Sequence, residues 1–578
     1  MRRVLREFFH FKWWVLGSVF GTMLGAMSDL LLPMLLSDII NIGVGNQDYG
    51  HVVRDGVLML LVTVGAVAGA VFGAYCSSRA ATGFARNLRR DVFAKVQTFT
   101  QAEMSRFGPA SLITRNTNDV NQMQGFVLMF TRILVRSPIM LIGGSIMAYS
   151  KSSQLAKPLL FAIPAIVLII FIASRVAMPL FRVMQKKVDA VNRVLREQIT
   201  GIRVIRAFVN EDHEEKRFDG VSGDLADTGI KMMRTVSVLM PLLMLTMNFT
   251  VVAILWSGAV QVSTAGGLLA GDLLAVIQYV MQIMFSLVML AMIFMVYPRA
   301  QASAERIAEV LEAVPAIQDP TAPKTLPERG SVTLEFRDVT FRFPGAERPT
   351  LENISFSAGK GETTAIIGST GSGKTTLLNL IVRFFDVSEG AVLVDGVDVR
   401  ELSQHDLRSR IGYVPQRAQM FSGTIADNLR YGEEDADIRE MSAAAETAQA
   451  LDFIEEKDGQ FDAHVAQGGT NFSGGQKQRL SIARALVRDA EIYLFDDSFS
   501  ALDAATDLKL RRALAEKTEN ATVVIVAQRI STIRDADRIL VLDDGRMAGI
   551  GTHSELMKSC EVYREIAYSQ FSEKEVAG

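Results

Sequence analysis

The run Gly368-Ser369-Thr370-Gly371-Ser372-Gly373-Lys374-Thr375, continued by Thr376, has the make-up of a loop that holds phosphate. Its glycines let backbone N–H groups converge on an anion, and a helix starting there adds the positive end of its dipole. Lys374 is placed to reach β- and γ-phosphate oxygens, and the Thr375 hydroxyl to hold Mg2+. Further along, the apolar run Ile492-Tyr493-Leu494-Phe495 ends in Asp496-Asp497. Nucleotide hydrolysis calls for Asp-Glu there, so the expected chemistry is intact binding with impaired cleavage.

These residues need a strand and a helix to hold them. Thr363–Ile367 reads as the strand that feeds the loop, and a helix from about Thr375 would turn Leu377, Leu378 and Ile381 towards a core. Upstream, Pro315, Pro320, Pro323 and Pro327 mark a linker before the strand-like Val332–Phe336, with a boundary near Gly330. The soluble α/β half is therefore assigned to 331–578 and the linker to 301–330.

Residues 1–300 are of another kind. Apolar windows long enough to cross ~30 Å of hydrocarbon at ~1.5 Å per residue fall at Trp13–Leu36, Val57–Cys76, Arg132–Tyr149, Pro158–Met178, Val236–Val262 and Leu273–Tyr297. The initial apolar run is too long for a secretory signal core, so the N-terminus is expected to be a retained, amphipathic elbow. Arg2, Arg3, Arg6 and Lys12 precede the first span, and Arg79, Arg86, Arg89, Arg90 and Lys95 follow the second. Both termini are thus expected on the cytoplasmic side of the cytoplasmic membrane. The two inner connections, Ser77–Thr131 and Phe181–Thr235, read as helical rods reaching into the cytosol. Their tips are expected near 111–119, with Arg115 and Asn116, and near 207–213, with Asn210 and Glu211. Such tips either press on the soluble half or are ordinary solvated loops.

Gly17, Gly21 and Gly25, and Gly65, Gly69 and Gly73, recur every fourth position, the close-packing pattern of membrane helices. Asp29 either latches an outward gate or sits as a hydrated acid near the outer interface. Met240, Met244, Met247, Met281, Met284, Met289, Met292 and Met295 crowd the last two spans, most of them as packing. Gln278 and Gln282 are candidates for a cavity, because an amide facing lipid is costly. A net charge of -3 without a basic, aromatic-interleaved stripe excludes a nucleic-acid partner. The two cysteines, Cys76 and Cys560, imply neither a disulfide framework nor a metal site.

Phe472-Ser473-Gly474-Gly475-Gln476 stands between the phosphate loop and the Asp496 strand. With that motif the whole chain resembles a half-transporter of the ATP-binding cassette exporters. The resemblance implies a six-helix all-α transmembrane domain followed by an α/β P-loop cassette, with ATP and Mg2+ as cofactors. It also implies roles by position. Phe343 takes the place of the adenine-stacking aromatic. Gln416 is the Q-loop glutamine reaching Mg2+ and the attacking water, and Asp496 the metal-linked aspartate. Ser500 and Asp503 fall in the D-loop at the dimer interface. Ser473, Gly474, Gly475 and Gln476 would serve the ATP on a partner's loop.

Three positions depart from that pattern. Asp497 replaces the glutamate that polarises water, shortening its reach by ~1.5 Å. Gln528 replaces the switch histidine and cannot carry a proton charge. Gln467-Gly468 replaces the usual Glu-Arg before the signature. Together they imply a degenerate-site subunit of a heterodimeric multidrug-type exporter, whose partner half supplies the missing Glu and His and whose cargo is a small amphipathic molecule. The alternatives are a slow homodimeric exporter of lipid or peptide and an ATP-switched regulatory conduit.

Overall fold

The computed structural model describes residues 6–263, 269–327 and 333–570. It divides into two compact units, Met1–Thr98 with Phe107–Ala313, and Phe99–Arg106 with Val314–Gly578. The boundary expected near Gly330, and the start of the strand at Val332, lie outside the described residues.

Up to Glu312 the described secondary structure is helical: α1 (Lys12–Asp38), α2 (Tyr49–Gln97), α3 (Gln101–Phe107), α4 (Pro109–Thr114), α5 (Val120–Lys151), α6 (Leu159–Ala207), α7 (Glu211–Ser237), α8 (Leu239–Ser263) and α9 (Ala270–Glu312). Among the described residues, six helical runs are long and apolar enough to cross a membrane, as the windows above require. At ~1.5 Å per residue the 49-residue α2 and α6 are each ~74 Å long, more than twice the ~30 Å of hydrocarbon. They therefore continue as rods beyond any bilayer.

The glycine periodicity does what small residues do between helices. A Cβ at Gly21 would lie 2.6 Å from the backbone N of Gly73 and 2.7 Å from the carbonyl of Gly69, so α1 and α2 touch backbone to backbone. Gly65 takes no part, since a Cβ there would meet nothing within 4 Å. At the far end of the bundle, Lys151 Nζ lies 3.2 Å from both Asp38 and Asp272 and 3.0 Å from Ser37 Oγ, tying α1, α5 and α9 together.

Two expected boundaries move. The first rod reverses across Thr98–Gly108, around α3, whereas 111–119 is helical, with a π-helical turn at Arg115–Asp119. Its polar residues are inward ties: the fully buried Asp119 accepts from Ser303 Oγ at 2.9 Å and from Arg306 Nε at 2.8 Å, and Arg115 pairs with Glu309 at 2.8 Å. A polar interruption that is satisfied by a neighbouring helix does not break a helix. For the same reason 301–312, assigned above to the linker, belongs to α9. Ala300, Ala304, Ile307 and Val310 are fully buried along one stripe, so the helix keeps its packing until Glu312. The second reversal, at Phe208–Asn210 between α6 and α7, falls inside 207–213.

The second unit is an α/β domain. β1 (Leu334–Phe341), β2 (Leu351–Ala358), β4 (Glu389–Val394) and β5 (Val397–Asp398) form an antiparallel sheet in the order β2-β1-β4-β5. β3 (Thr363–Gly368), β6 (Ile411–Val414), β9 (Ile492–Asp496), β10 (Thr522–Val526), β11 (Arg538–Asp543) and β12 (Arg546–Gly551) form the main sheet in the order β12-β11-β3-β10-β9-β6. A two-residue pair, β7 (Gly423–Thr424) with β8 (His464–Val465), completes the strands. β6, β9, β10, β3 and β11 run parallel, and β9 and β10 are buried along their whole length, as near-continuous apolar strands between covered faces should be. α3 brings a buried carboxylate to this unit: Glu103 accepts from Thr100 N at 2.8 Å and from Ala316 N at 3.1 Å. Burial pushes the Glu103 carboxyl up, but the hydrogen bonds from Thr100 and Ala316 outweigh it and hold the group below the usual range.

Candidate functional site

β3 and β9 flank β10, so the loop after β3 and the carboxylates at the end of β9 emerge at the same edge of the sheet, as ligand loops do at the carboxyl ends of parallel strands. Gly368-Ser369-Thr370-Gly371-Ser372-Gly373 connects β3 to α10 (Lys374–Ile381). Gly373 has φ +97° and a Cβ there would lie 2.6 Å from Leu351 Cδ2, so only glycine closes this turn. Thr376, Leu377, Leu378 and Ile381 are buried and fix α10 against the core. Its first-turn N–H groups then point out of the helix end without intrahelical partners.

The loop and the strand meet at Thr375, whose Oγ1 donates to Asp496 Oδ1 at 3.0 Å. Lys374 Nζ donates to the carbonyls of Gly368 at 2.9 Å and Ser369 at 2.7 Å. Burial lowers the Lys374 ammonium's affinity for its proton, with Asp497 and Asp496 opposing. Burial likewise raises the Asp496 carboxyl, reinforced by Asp497 and resisted by the Thr375 hydroxyl and Lys374. Two neighbouring carboxyls held up by desolvation, a hydroxyl and an ammonium on a glycine loop match the donor set for Mg2+ and a triphosphate. Ser372 Oγ is buried beneath the loop and has no partner among the described residues. The site therefore fits ATP with Mg2+, held by Lys374, Thr375, Asp496 and the loop backbone. Phe343 packs edge-on to Phe341 and Phe385, with ring centroids at 4.8 and 5.2 Å, which leaves it half-buried.

Asp497, Gln528 and Gln416 come together. Asp497 turns the chain off β9 in the left-handed region, φ +48°, which Asp tolerates better than most residues. Its Oδ2 accepts from Gln528 Nε2 at 2.7 Å and from Gln416 Nε2 at 3.3 Å. Burial raises this carboxyl, while Gln416, Lys374, Ser500 and Arg529 pull it down. Gln528 thus spends its amide on the carboxylate. Sequence reasoning assigned both departures but not the bond between them, because residues 31 apart gave no pairing signal. It also missed Gln570, whose Nε2 donates to the Gln528 carbonyl at 2.7 Å and whose Oε1 accepts from Ile530 N at 2.9 Å.

Ser473 caps the 14-residue helix α11 (Gly474–Val487). Its Oγ accepts from Gln476 N at 3.2 Å, and Gln476 Oε1 accepts from Ser473 N at 3.0 Å, a reciprocal capping box. Gly475 leaves room beside the Ala501 carbonyl, 3.3 Å from where a Cβ would stand. Ser500 Oγ donates to the Asp497 carbonyl at 3.0 Å, and Asp503 caps α12 (Ala504–Lys517) through Thr506 N at 3.0 Å. Gly468 has φ +68°, a conformation an arginine would adopt only under strain.

A second site lies in the helical unit. A cavity of about 570 Å3 opens between α1, α2, α5 and α9, lined among others by Asp29, Arg132, Arg136, Gln282, Phe285 and Met289. Asp29 pairs with Arg136 at 2.6 Å, so it is neither free nor simply hydrated. Of the two glutamines expected in a cavity, Gln282 lines this one and Gln278 is exposed on α9 outside it. Helical spacing put them on one side of α9 but could not say where the neighbouring helices stop. Met284 is buried and Met240, Met244 and Met281 are exposed, while the side chain of Met295 lies outside the described residues. Asn116 Oδ1 is buried without a partner among the described residues, and Arg115 faces Glu309. Asn210 and Glu211 begin α7.

Known proteins agree with this arrangement. Residues 15–287 match the family described as the ABC transporter transmembrane region, and residues 351–500 the family described as ABC transporter. An uncharacterized ABC transporter ATP-binding protein of Mycobacterium tuberculosis is 42% identical over 559 residues, covering 96% of each chain. One from Bacillus subtilis is 39% identical over 94% of each. The ATP-dependent lipid A-core flippase of Salmonella typhimurium is 30% identical over 99% of this chain and 98% of its own. The structure of a bacterial Atm1-family ABC exporter with ATP bound superposes with a TM-score of 0.80 at 27% identity, covering 97% of this chain and 99% of that one. The chain belongs to the ABC transporter family, as an exporter half-transporter that joins one transmembrane region to one ATP-binding cassette.

Proposed function

We propose that this half-transporter works in a heterodimer that exports amphipathic small molecules across the cytoplasmic membrane, and that its own nucleotide site binds ATP but hydrolyses it slowly. The observation that carries this reading is the tied Asp497: its carboxylate is one methylene short and both nearby amides, Gln528 and Gln416, hold it. A base engaged by two donors is a poor acceptor for a proton from water. The loop, Lys374, Thr375 and Asp496 are otherwise complete for binding. When bound, Mg2+ would neutralise phosphate charge beside Thr375, Asp496 and Gln416.

The intact cap of α11 supports the other half of the reading. Ser473, Gly474, Gly475 and Gln476 present a helix N-terminus suited to the γ-phosphate on the partner's loop, and Ser500 and Asp503 would lie along the shared interface. Slow turnover on this chain then holds the cassettes together while the partner's site cycles. The turns at Thr98–Gly108 and at Phe208–Asn210 are the segments that would carry cassette closure to the spans. Basic residues flanking the first two spans support cytoplasmic termini. The relative named as a lipid A-core flippase supports an amphiphilic cargo.

The test is co-expression with a second half-transporter that carries the Glu and His this chain lacks. A 1:1 complex with sustained, cargo-stimulated ATPase, and little turnover by this chain alone, is the expected result. Full-rate hydrolysis by a homodimer overturns the division of labour, and binding without sustained turnover in the pair overturns the pump in favour of an ATP-operated switch.

A further inference from the structure

The last described helix of the cassette reaches the loop that carries Gln528. That loop runs from β10 into the short α13 (Ile530–Ile533), and the helix is α14 (Glu561–Gln570). Tyr563 and Ala567 are buried in the core, and Gln570 follows them at helical spacing, so the buried stripe of α14 aims Gln570 at the loop. Tyr563 is itself fixed, its hydroxyl hydrogen-bonded to His553 Nδ1 at 2.8 Å.

On its upstream side the loop is held by the sheet, where Ala527 N donates to the Ile366 carbonyl at 3.1 Å. Downstream, Gln570 takes over. Its Nε2 donates to the Gln528 carbonyl at 2.7 Å and its Oε1 accepts from Ile530 N at 2.9 Å. Arg529 between them is extended, with φ -106° and ψ 130°, so these two backbone groups lie on one edge and a single amide pairs with both, as a neighbouring strand would. α13 depends on this contact for its cap. Arg529 occupies the N-cap position with a side chain that carries donors only, so it cannot accept from a first-turn N–H. Gln570 supplies that acceptor from 40 residues further along the chain. Both bonds go to backbone atoms, which makes the hold indifferent to the side chain at 528. What it fixes is the point from which that side chain departs, here an amide that donates to Asp497 Oδ2 at 2.7 Å.

We propose that Gln570 is a positioning residue for the nucleotide site: it clamps the backbone at 528 and 530 and thereby sets where the side chain at 528 acts. The inference rests on the reading of Asp497 as tied by Gln528. A cap for α13 alone would steady that helix and leave hydrolysis unchanged, whereas a clamp changes the rate in a direction set by what stands at 528. With Gln528 in place, loosening the clamp slackens the tie on Asp497 and releases the carboxylate. With a histidine there, loosening it lets the imidazole drift from the γ-phosphate.

The test is single-turnover hydrolysis of labelled ATP by full-length chains in a heterodimer whose partner site is disabled, with ATP affinity measured alongside. Gln570→Ala is expected to raise the wild-type rate two- to threefold. In Asp497→Glu/Gln528→His it should lower the rate about fivefold, or ~1 kcal/mol at ~1.4 kcal/mol per tenfold, the scale of an ordinary hydrogen bond. In Gln528→Ala it should change nothing, because no side chain remains to be placed. ATP affinity should hold throughout, since the clamp touches neither the phosphate loop nor Phe343. Opposite signs in two backgrounds cannot come from a loss of folding. An unchanged wild-type rate, a change that is the same whatever stands at 528, or weakened ATP binding overturns the proposal. The two readings also fail separately. If Asp497→Glu/Gln528→His is no faster than wild type while Gln570→Ala still speeds the wild type and not Gln528→Ala, the degenerate-site reading falls and the clamp stands; if the double variant is faster and Gln570→Ala is silent in both, the clamp alone falls.

Discussion

Restoring the residues that hydrolysis calls for, singly and together, tests whether Asp497 is only short or also tied. In the wild type Asp497 Oδ2 accepts from Gln528 at 2.7 Å and from Gln416 at 3.3 Å. A hydrogen bond to a charged group contributes ~1.5–3 kcal/mol. Asp497→Glu adds ~1.5 Å of reach, but the longer carboxylate has to release the Gln528 amide before it can face a water. At ~1.4 kcal/mol per tenfold in rate, that release suppresses the single variant by roughly 10- to 100-fold. Gln528→His frees the carboxylate without lengthening it and should gain only a few-fold. The double variant recovers position and freedom together and is expected about 100-fold above the wild-type site, the penalty for a misplacement of this size. The two singles should therefore fall short of the double by at least ~1 kcal/mol of coupling, as for any two residues that share a hydrogen bond. Single-turnover hydrolysis of labelled ATP, in a heterodimer whose partner site is disabled, measures all four rates. If Asp497→Glu alone reaches the rate of the double variant, the tether is refuted. If none of the three variants changes the rate, the reading of this site as degenerate fails with it.

Four further outcomes follow from the same geometry. Gly21→Leu should prevent α1 from seating on α2 and lower the melting temperature of the purified protein sharply, whereas Gly65→Ala, with open space at its Cβ, should leave it unchanged. Asp119→Ala leaves Arg306 and Ser303 without their buried acceptor and should cost about 3 kcal/mol, seen in thermal unfolding, while sparing ATP binding. Ser473→Ala removes the cap of α11 at ~1 kcal/mol, and should slow hydrolysis on the partner's loop more than it weakens ATP binding on this chain's own. The carboxyls of Asp496 and Asp497 are raised by burial, so the folded state binds more protons than the unfolded one; stability of the nucleotide-free cassette therefore falls as pH rises from about 4 through the raised values, then levels off. The melting temperature of Asp497→Asn should show a smaller fall over that window than wild type, and an equal fall would contradict the assignment.

What could be read beforehand was whatever repeats locally. The eight-residue glycine loop announces its own backbone, and apolar length alone announces a span, so the phosphate cradle at Lys374 and the six membrane helices were legible. The tip at 111–119 was not, because a polar run looks the same in sequence whether water or Ser303 and Arg306 satisfy it. The linker failed likewise at 301–312, where Ala304, Ile307 and Val310 recur at helical spacing among charged residues and are fully buried. Arg132 was read as the first residue of a span, and Arg136 carried no reading of its own. Their meaning depends on Asp29, more than a hundred residues away, and on a cavity that four separate helices close. Gln570 was invisible for the same reason, since a tail glutamine reveals its role only when the loop at Gln528 lies beneath it.

Gln282 at the membrane cavity and Arg306 at the buried Asp119 belong to one uninterrupted helix, α9, and stand 24 residues apart, ~36 Å along its axis. Pro298 sits between them, where the helix lacks one backbone donor and yields most readily to bending. The lower segment is anchored twice, through Asp119 and Arg115, so a rotation imposed at its base would reach that proline before it could bend. The cavity end of α9 would then register a small turn at its base as a change in where Gln282 points. The rod is a mechanical gauge: its setting at one end can be read at the other, and stiffening it at residue 298 should make the two ends report in unison.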